Sequence, residues 1–399
     1  MERYSLGMIL EARERLRGIV QRTGLVAFPA LSTEESILYL KTEDLQNTGS
    51  FKVRGAYIKI AGLTEEERAA GVIASSAGNH AQGVALAALQ FGVPATIVMP
   101  TGAPLSKVKA TMELGAKVVL HGTVYDDAYE EARRIQKETG ATFIHPFDDP
   151  LVIAGQGTIG LEIMDDLPDV DTIVVPIGGG GLASGVAAAV KLLHPEVKVI
   201  GVQASGAAGM KASFEAGHVV CLPSAKTIAD GIAVKQPGEL TFEICRKFLD
   251  DIVTVDDDEI AQAILLLMEK GKMVAEGAGA APVAAIMNQK IERRGNVVAL
   301  VSGGNIDVTM ISRIIEKGLL RAGRVSKLRI VLKDIPGQLE IVSRIIGSAG
   351  ANVMAVHHDR TNVDLDIRDA ILEITMETQD REHAMRVIES LREAGFTVN

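Results

Sequence analysis

Four short stretches of this chain combine residue types that can do chemistry within one site. Gly49-Ser50-Phe51-Lys52-Val53-Arg54-Gly55-Ala56 sets one lysine between two apolar residues and beside a hydroxyl. In a partly apolar setting a lysine ammonium loses hydration and its pKa falls. The amine then becomes available as nucleophile, base or Schiff-base former. The commoner fate of an isolated lysine is a solvated surface charge. Ile173-Val174-Val175-Pro176-Ile177-Gly178-Gly179-Gly180-Gly181-Leu182-Ala183-Ser184-Gly185 reads as a strand, four glycines and a helix start. Bare glycines let backbone N–H groups approach an anion, and a helix N-terminus adds positive potential, so a phosphate is the natural guest. A flexible connection is the plainer alternative.

Two further stretches follow strands. Ala74-Ser75-Ser76-Ala77-Gly78-Asn79-His80 runs into a helix and offers small residues, hydroxyls and N–H groups that suit a carboxylate. A simple helix cap would use the same serine and asparagine, and His80 reads as structural. Ala299-Leu300-Val301-Ser302-Gly303-Gly304-Asn305 is a strand entering a glycine turn, with a hydroxyl at the strand's carboxyl end. A turn with a capping serine explains it equally well.

The guest of the glycine run is narrowed by what is missing. Gly178-x-Gly180-x-x-Ala183 loosely matches a dinucleotide fingerprint, but the next strand ends Val202-Gln203-Ala204 without the acid that would hold a ribose. No Lys-Ser/Thr pair follows the glycines, which excludes a nucleoside triphosphate loop. A phosphate-bearing group without a ribose fits better. Metal ligation finds no support. Asp256-Asp257-Asp258 reads as favourable charge at a helix start. His357 and His358 are adjacent, so in a strand they point to opposite faces.

The elements that must position these residues alternate. Apolar runs at 72–74, 95–99, 117–120, 172–175, 197–202 and 297–301 predict buried strands, and 80–91, 104–114, 126–139 and 258–270 predict amphipathic helices. This is the pattern of βα units in open sheets covered on both faces, and two strand clusters imply two lobes. Sites in such sheets lie at the carboxyl ends of strands, which is where the stretches above fall. After Leu320 the polar Arg321-Ala322-Gly323-Arg324 suggests a linker over 321–326. Residues 327–399 then read strand 328–332, helix 337–349, strand 352–357, strand 370–376, helix 381–394 and strand 396–398, a ferredoxin-like βαββαβ order. Residues 1–320 are expected to form the catalytic domain, with a smaller lobe of about 50–150 inserted in the larger one.

Composition excludes several classes. The chain has 399 residues, 47% of them apolar and 23% charged, and a net charge of −10. This is ordinary globular composition, and an acidic surface argues against nucleic acid or an anionic membrane as partner. Two cysteines, Cys221 and Cys245, make no disulfide framework and suggest a reducing cytoplasm. The start Met1-Glu2-Arg3 shows no apolar signal core, and no run reaches the length of a membrane span.

Taken together, the four stretches resemble the fold-type II pyridoxal phosphate enzymes, in the threonine ammonia-lyase (threonine dehydratase, or deaminase) branch. The resemblance covers nearly the whole chain. Its most specific part is Lys41-Thr42-Glu43-Asp44-Leu45-Gln46-Asn47-Thr48-Gly49-Ser50-Phe51-Lys52-Val53-Arg54-Gly55, which matches the lysine-attachment signature. Ala154-Gly155-Gln156-Gly157-Thr158 falls in its expected place, and residues 327–399 look like an ACT regulatory domain, including Asp334-Ile335-Pro336-Gly337-Gln338-Leu339. The implied fold is α/β: a two-lobed catalytic domain with open sheets like those of the tryptophan synthase β chain, plus the ferredoxin-like ACT unit.

The resemblance also implies roles. Lys52 attaches the cofactor and shuttles the substrate's Cα proton. Gly178, Gly179, Gly180, Gly181 and Leu182 hold the cofactor phosphate, Asn79 its phenolic oxygen, and Ser302 faces its pyridine nitrogen. Phe51 packs near the ring and Glu276 lies close to it. Ser76, Ala77, Gly78, Asn79 and His80 hold the substrate carboxylate. The implied reaction converts L-threonine to 2-oxobutanoate and ammonia, with L-serine as a slower substrate. An amino-acid effector is expected at the ACT unit around Gly337, Gln338 and Leu339, and a homodimer or homotetramer is expected. Serine-preferring lyases, β-replacement enzymes and an amino-acid sensor with an inactive core are the rival readings. Serine racemases of the family carry a serine where this chain has Ala77, which implies little racemase activity. Members with a divalent metal carry acids where this chain has Gln203 and Gly209, so no such metal is expected.

Overall fold

The structure, a computed structural model, describes residues 4–361 and 366–398. Met1-Glu2-Arg3, at the start read above for a signal core, lie outside the described residues. The chain divides into two compact units, Met1–Ile306 and Asp307–Asn399.

The first unit holds two sheets. A six-stranded sheet is built from β1 (Leu25–Ala27), β2 (Ser36–Thr42), β7 (Val170–Pro176), β8 (Lys198–Ala204), β9 (Asp251–Val255) and β10 (Gly295–Val301). Their order is β1-β2-β10-β7-β8-β9, and only the β1–β2 pair is antiparallel. A four-stranded parallel sheet, in the order β5-β4-β3-β6, uses β3 (Val72–Ser75), β4 (Ala95–Met99), β5 (Lys117–Leu120) and β6 (Thr142–Phe143). The central strands are continuous apolar runs because helices cover both their faces; Ile173, Val174 and Val175 are wholly buried.

Each sheet has one place where its strand order reverses. From β7 the chain runs outward to β8 and β9, while β10 lies on β7's other side. From β3 it runs to β4 and β5, while β6 lies on β3's other side. A crevice opens beyond the carboxyl ends of the strands at such points. The glycine run leaves β7, the Ser302 turn leaves β10, and the Ser75–Asn79 segment leaves β3, so topology alone delivers three of the four stretches to two crevices.

The fourth stretch begins a helix, Lys52–Ala61. This helix crosses the helix Pro150–Asp166 at very short range: a Cβ on Gly155 would stand 2.7 Å from the Arg54 carbonyl oxygen and from the Gly55 Cα. Only glycine permits that approach. Beside the crossing lies a buried ion network. Arg54 donates to both carboxylate oxygens of Glu43, at 2.9 and 2.8 Å, and to both of Glu162, at 2.6 and 3.0 Å. Lys41 Nζ donates to Glu162 at 2.7 Å and to the Thr23 carbonyl at 2.8 Å. Burial would raise the Glu162 pKa, but Arg54 and Lys41 hold it below the usual carboxylate value. The helix that starts at Lys52 is thus anchored two residues later.

The second unit pairs β11 (Val325–Lys333), β12 (Asn352–Asp359), β13 (Asp369–Glu377) and β14 (Thr397–Val398) in the antiparallel order β12-β13-β11-β14. Helices Gln338–Ser348 and Arg381–Glu393 cover one face, giving the ferredoxin-like βαββαβ arrangement expected from the pattern. The unit also takes in the helix Val308–Arg321. The polar Arg321-Ala322-Gly323-Arg324 makes the turn from that helix into β11, with Gly323 at φ +67°.

Candidate active site

Lys52 is the first residue of its helix, and its Nζ donates to the Pro146 carbonyl over 3.1 Å. The same ammonium lies 5.1 Å from the centre of the Phe51 ring. Burial pushes the Lys52 pKa down to about 8, opposed by the charge of Glu276. The free amine is therefore more accessible near neutral pH than that of an ordinary solvated lysine.

The turn after β10 laces the site together. Phe51 N donates to the Ser302 carbonyl, Gly304 N to the Gly49 carbonyl, and Glu276 N to the Gly303 carbonyl, at 3.2, 2.9 and 3.0 Å. Glu276 is the N-cap of the helix Gly277–Met287, and Asn79 is the first residue of the helix Asn79–Phe91. Asn79 Nδ2 donates to Glu276 Oε1 over 2.7 Å, and Asn79 Oδ1 accepts from Asn305 Nδ2 over 2.8 Å. Burial and the nearby Asp230 push the Glu276 pKa up to about 7. Glu276 thus shares its proton near neutrality.

The glycine run closes the other wall. Helix Gly181–Lys191 begins inside it, and the first N–H groups of a helix have no intrahelical carbonyl to meet. The Gly179 carbonyl is turned away into hydrogen bonds from Thr241 Oγ1 at 2.6 Å and Gly238 N at 3.2 Å. A Cβ on Gly179 would come within 2.4 Å of the Phe147 ring. Phe147 follows Pro146, which holds Lys52, so the lysine and the glycine run share a wall. A Cβ on Gly231 would stand 3.0 Å from Glu276 Oε1, and one on Gly178 would stand 3.0 Å from the Cα of Ile232, next to Gly231. Contacts therefore run from Lys52 through Phe147, the glycines and Gly231 to Glu276 and Asn79.

Most residues singled out from sequence meet here: Phe51, Lys52, Asn79, Gly178, Gly179, Gly180, Gly181, Leu182, Glu276 and Ser302 lie on elements that border one crevice. Ser302 is buried, at 2% exposure. Ser76, Ala77 and Gly78 form the entry to the Asn79 helix, and the Gly78 N–H already donates to Ser76 Oγ at 3.2 Å. His80 is buried with Nε2 2.8 Å from the Ile144 carbonyl, and burial together with the Lys52 charge pushes its pKa down to about 3. It is a neutral ring hydrogen-bonded to the backbone. Gly337, Gln338 and Leu339 belong to the other unit, where Gly337, at φ +92°, starts the helix Gln338–Ser348. Sequence reading missed Pro146 and Phe147, whose signal was only a His-Pro-Phe-Asp-Asp run after β6. It also missed Lys107 and Asp230.

No metal-binding group of three or more His, Cys, Asp or Glu side chains occurs among the described residues. Gln203 instead spans its own turn, accepting from Lys211 N at 2.8 Å and donating to the Ile177 and Ala207 carbonyls. No described helix is long and apolar enough to cross a membrane.

Comparison with known proteins places this arrangement. Residues 16–303 match the family described as pyridoxal-phosphate dependent enzyme. An L-threonine ammonia-lyase of Thermotoga maritima is 54% identical over 392 residues, covering 98% of each chain. One of Geobacter sulfurreducens is 48% identical over 98% of each. Among solved structures, the processed form of threonine deaminase isoform 2 from Solanum lycopersicum is similar, with a TM-score of 0.74 and 40% identity over 78% of this chain and 92% of that one.

The residues present fit the cofactor of that family. The glycine run is a cradle that a single Cβ would fill, and it opens a helix whose N–H groups suit a phosphate. The Lys52 side chain is half-buried and its pKa is depressed. The buried hydroxyls of Ser50 and Ser75 have no hydrogen-bond partner among the described residues, as expected of groups bordering a polar guest. An amine, a phosphate cradle and an amide–carboxylate pair around one crevice, together with a family match over most of its length, show that this chain belongs to the pyridoxal-phosphate-dependent enzymes.

Proposed function

We propose that the chain is an L-threonine ammonia-lyase, which removes water and then ammonia from L-threonine to leave 2-oxobutanoate, and which acts more slowly on L-serine to give pyruvate. The observation that carries this reading is a half-buried lysine, Lys52, whose pKa is depressed and on which the Glu276 of the Asn79–Glu276 pair acts, beside the glycine cradle, in a chain similar to such lyases along nearly its whole length. Pyridoxal phosphate supplies a carbonyl carbon for covalent attachment of amines and a conjugated ring that takes up the electron pair released at the substrate's α-carbon.

The chain's own residues do the rest. Gly178, Gly179, Gly180, Gly181 and Leu182 bind the phosphate through backbone N–H groups. Lys52 provides the attaching amine and accepts the Cα proton, a role that its pKa of about 8 suits near neutrality. Asn79 would donate to the cofactor's ring oxygen, and Phe51 would flank the ring. Ser302 would meet the pyridine nitrogen as a neutral hydroxyl. An acid there would keep that nitrogen protonated; serine weakens the electron sink and favours elimination. The segment Ser76-Ala77-Gly78-Asn79-His80 receives the substrate carboxylate. The balance closes: threonine loses water across Cα–Cβ, and the released enamine becomes an imine, takes water back and yields ammonia.

The second unit fits an ACT-type regulatory domain, with an amino acid binding near Gly337, Gln338, Leu339 and β12. A dimer or tetramer of the chain is the expected assembly. Kinetics across a panel of amino acids and the mass in solution test these two points.

The primary test is 2-oxo acid release by pure protein with pyridoxal phosphate added. 2-Oxobutanoate should form from L-threonine faster than pyruvate from L-serine. Lys52→Ala should lower both rates by on the order of 10³-fold. No 2-oxo acid from either substrate, or full turnover by Lys52→Ala, would overturn the assignment.

A further inference from the structure

The hydrogen-bond chain that ends at Glu276 has a direction, and one backbone carbonyl sets it. Asn305 Nδ2 stands 2.7 Å from the Thr48 carbonyl oxygen and 2.8 Å from Asn79 Oδ1. A carbonyl oxygen can only accept. The Asn305 atom facing it must therefore be the amide nitrogen, whose second hydrogen points to Asn79. The Asn79 atom that receives it must in turn be the oxygen. Asn79 Nδ2 is thereby directed to Glu276, with Oε1 at 2.7 Å. That nitrogen carries two hydrogens. Glu276 takes one, and one remains.

The start of this chain is held firmly. Thr48 has φ +65° and ψ 11°, a left-handed conformation that is costly for a β-branched residue and is kept only where surrounding contacts impose it. Next to it, Gly49 lies so close to Asn305 that a Cβ would stand 2.7 Å from Asn305 Oδ1. The Gly304 N–H binds the Gly49 carbonyl at 2.9 Å, closing the turn around the asparagine. Without Asn305, only Glu276 would distinguish the two amide orientations of Asn79, and when its carboxyl is protonated it can serve either.

We propose that Asn305 is a positioning residue: its double donation locks the Asn79 amide in the one orientation that leaves an Nδ2 hydrogen for an oxygen anion of the bound cofactor. This rests on the reading of Asn79 as the residue that meets that oxygen. Asn305 itself touches neither cofactor nor substrate in this role.

The test uses the holoenzyme and reads the visible absorption of bound pyridoxal phosphate against pH, with the cofactor dissociation constant measured alongside. In Asn305→Asp the carboxylate cannot donate, so it draws Asn79 Nδ2 to itself and presents Oδ1 to the cofactor. The absorption midpoint should rise by about one pH unit, and cofactor binding should weaken about tenfold. Asn305→Ala should shift the midpoint in the same direction by less, and it carries the test if the aspartate variant does not fold. Asn79→Ala should shift it at least as far, and Asn305→Ala added to Asn79→Ala should add nothing, a coupling that general loosening of the turn would not produce. A wild-type midpoint and affinity in both Asn305 variants, or full additivity in the double variant, would overturn the proposal. A shift with Asn305→Asp but none with Asn79→Ala would instead overturn the reading of Asn79 as the cofactor's partner.

Discussion

Asn79 Nδ2 reaches Glu276 Oε1 over 2.7 Å across 197 residues of sequence. The carboxylate it meets is held up to about 7, from an ordinary 4.5, chiefly by burial. Between these two values the folded chain binds a proton that the unfolded chain lacks. The stabilisation is therefore fully present below about pH 4.5 and is lost as pH rises through about 7. Glu276→Gln keeps an acceptor for Asn79 and removes the titration. In cofactor-free protein, the stability of the variant relative to the parent should improve by on the order of 2 kcal/mol between pH 5 and pH 8. Urea midpoints at the two pH values measure it, and an equal difference at both would count against a raised Glu276 pKa.

The Arg54 network makes a stability prediction with a large magnitude. Arg54 and Glu43 are wholly out of solvent, and their partner Glu162 nearly so. Arg54→Met would leave two buried carboxylates facing an apolar chain, at a cost of about 3–5 kcal/mol. Adding Glu43→Gln, while Glu162 stays to pair with Lys41, should restore part of that loss. Denaturant unfolding of the single and double variants checks both statements. A single variant within about 0.5 kcal/mol of the parent would mean that the network is not held as described.

Much of this architecture was legible in the sequence, and the exceptions share a cause. Strands at 95–99 and 117–120 match their apolar runs to the residue because these runs are short and bounded by turns. β2 was invisible as a strand because Lys41 and Thr42, both buried, make its end look polar. Lys41 can be buried only because Glu162, 121 residues away, pairs with it. The helix Pro150–Asp166 shows no amphipathic stripe because it is buried all round from Val152 to Met164, and its glycines serve helix crossings. Of the site, the motif residues could be named from their local pattern. Phe147 and Asn305 could not be given roles, since what they do depends on Gly179 and on the Thr48 carbonyl, which only the fold brings near.

Two ion pairs join the helices of the four-stranded sheet to the loop before the helix Glu239–Phe248. Lys107 Nζ lies 3.2 Å from Asp230 and Lys235 Nζ 2.7 Å from Asp126. The first stands close enough to Glu276 for both its charges to act on that pKa, so it sits at the rim of the crevice. Exposed pairs like these contribute at most about 1 kcal/mol each to stability. The larger effect of the Lys107–Asp230 pair should be on substrate binding at that rim. Lys107→Met should change KM for L-threonine several-fold while moving the thermal midpoint by only about 1–2 °C. Raising salt should reproduce part of the effect in the parent and little of it in the variant. Kinetics at low and high salt test this, and an unchanged KM in the variant would remove the pair from the binding step.

Gly179 and Phe147 form the tightest wall of the site. A methyl group on Gly179 would lie 2.4 Å from two carbons of the Phe147 ring, a distance that forces the ring or the loop to move. Because Pro146, which holds Lys52, precedes that ring, either movement disturbs both the phosphate cradle and the lysine. Gly179→Ala should therefore weaken pyridoxal phosphate binding by roughly tenfold or more while the protein remains folded. Phe147→Leu removes ring atoms from the clash. Combined with Gly179→Ala it should recover part of the lost affinity, so the two changes should be less damaging together than their separate effects predict. Cofactor titration of the three variants gives the coupling directly. Strictly additive losses would show that the loop moves away from Phe147 rather than against it, and the shared wall would then not be what holds the cradle in shape.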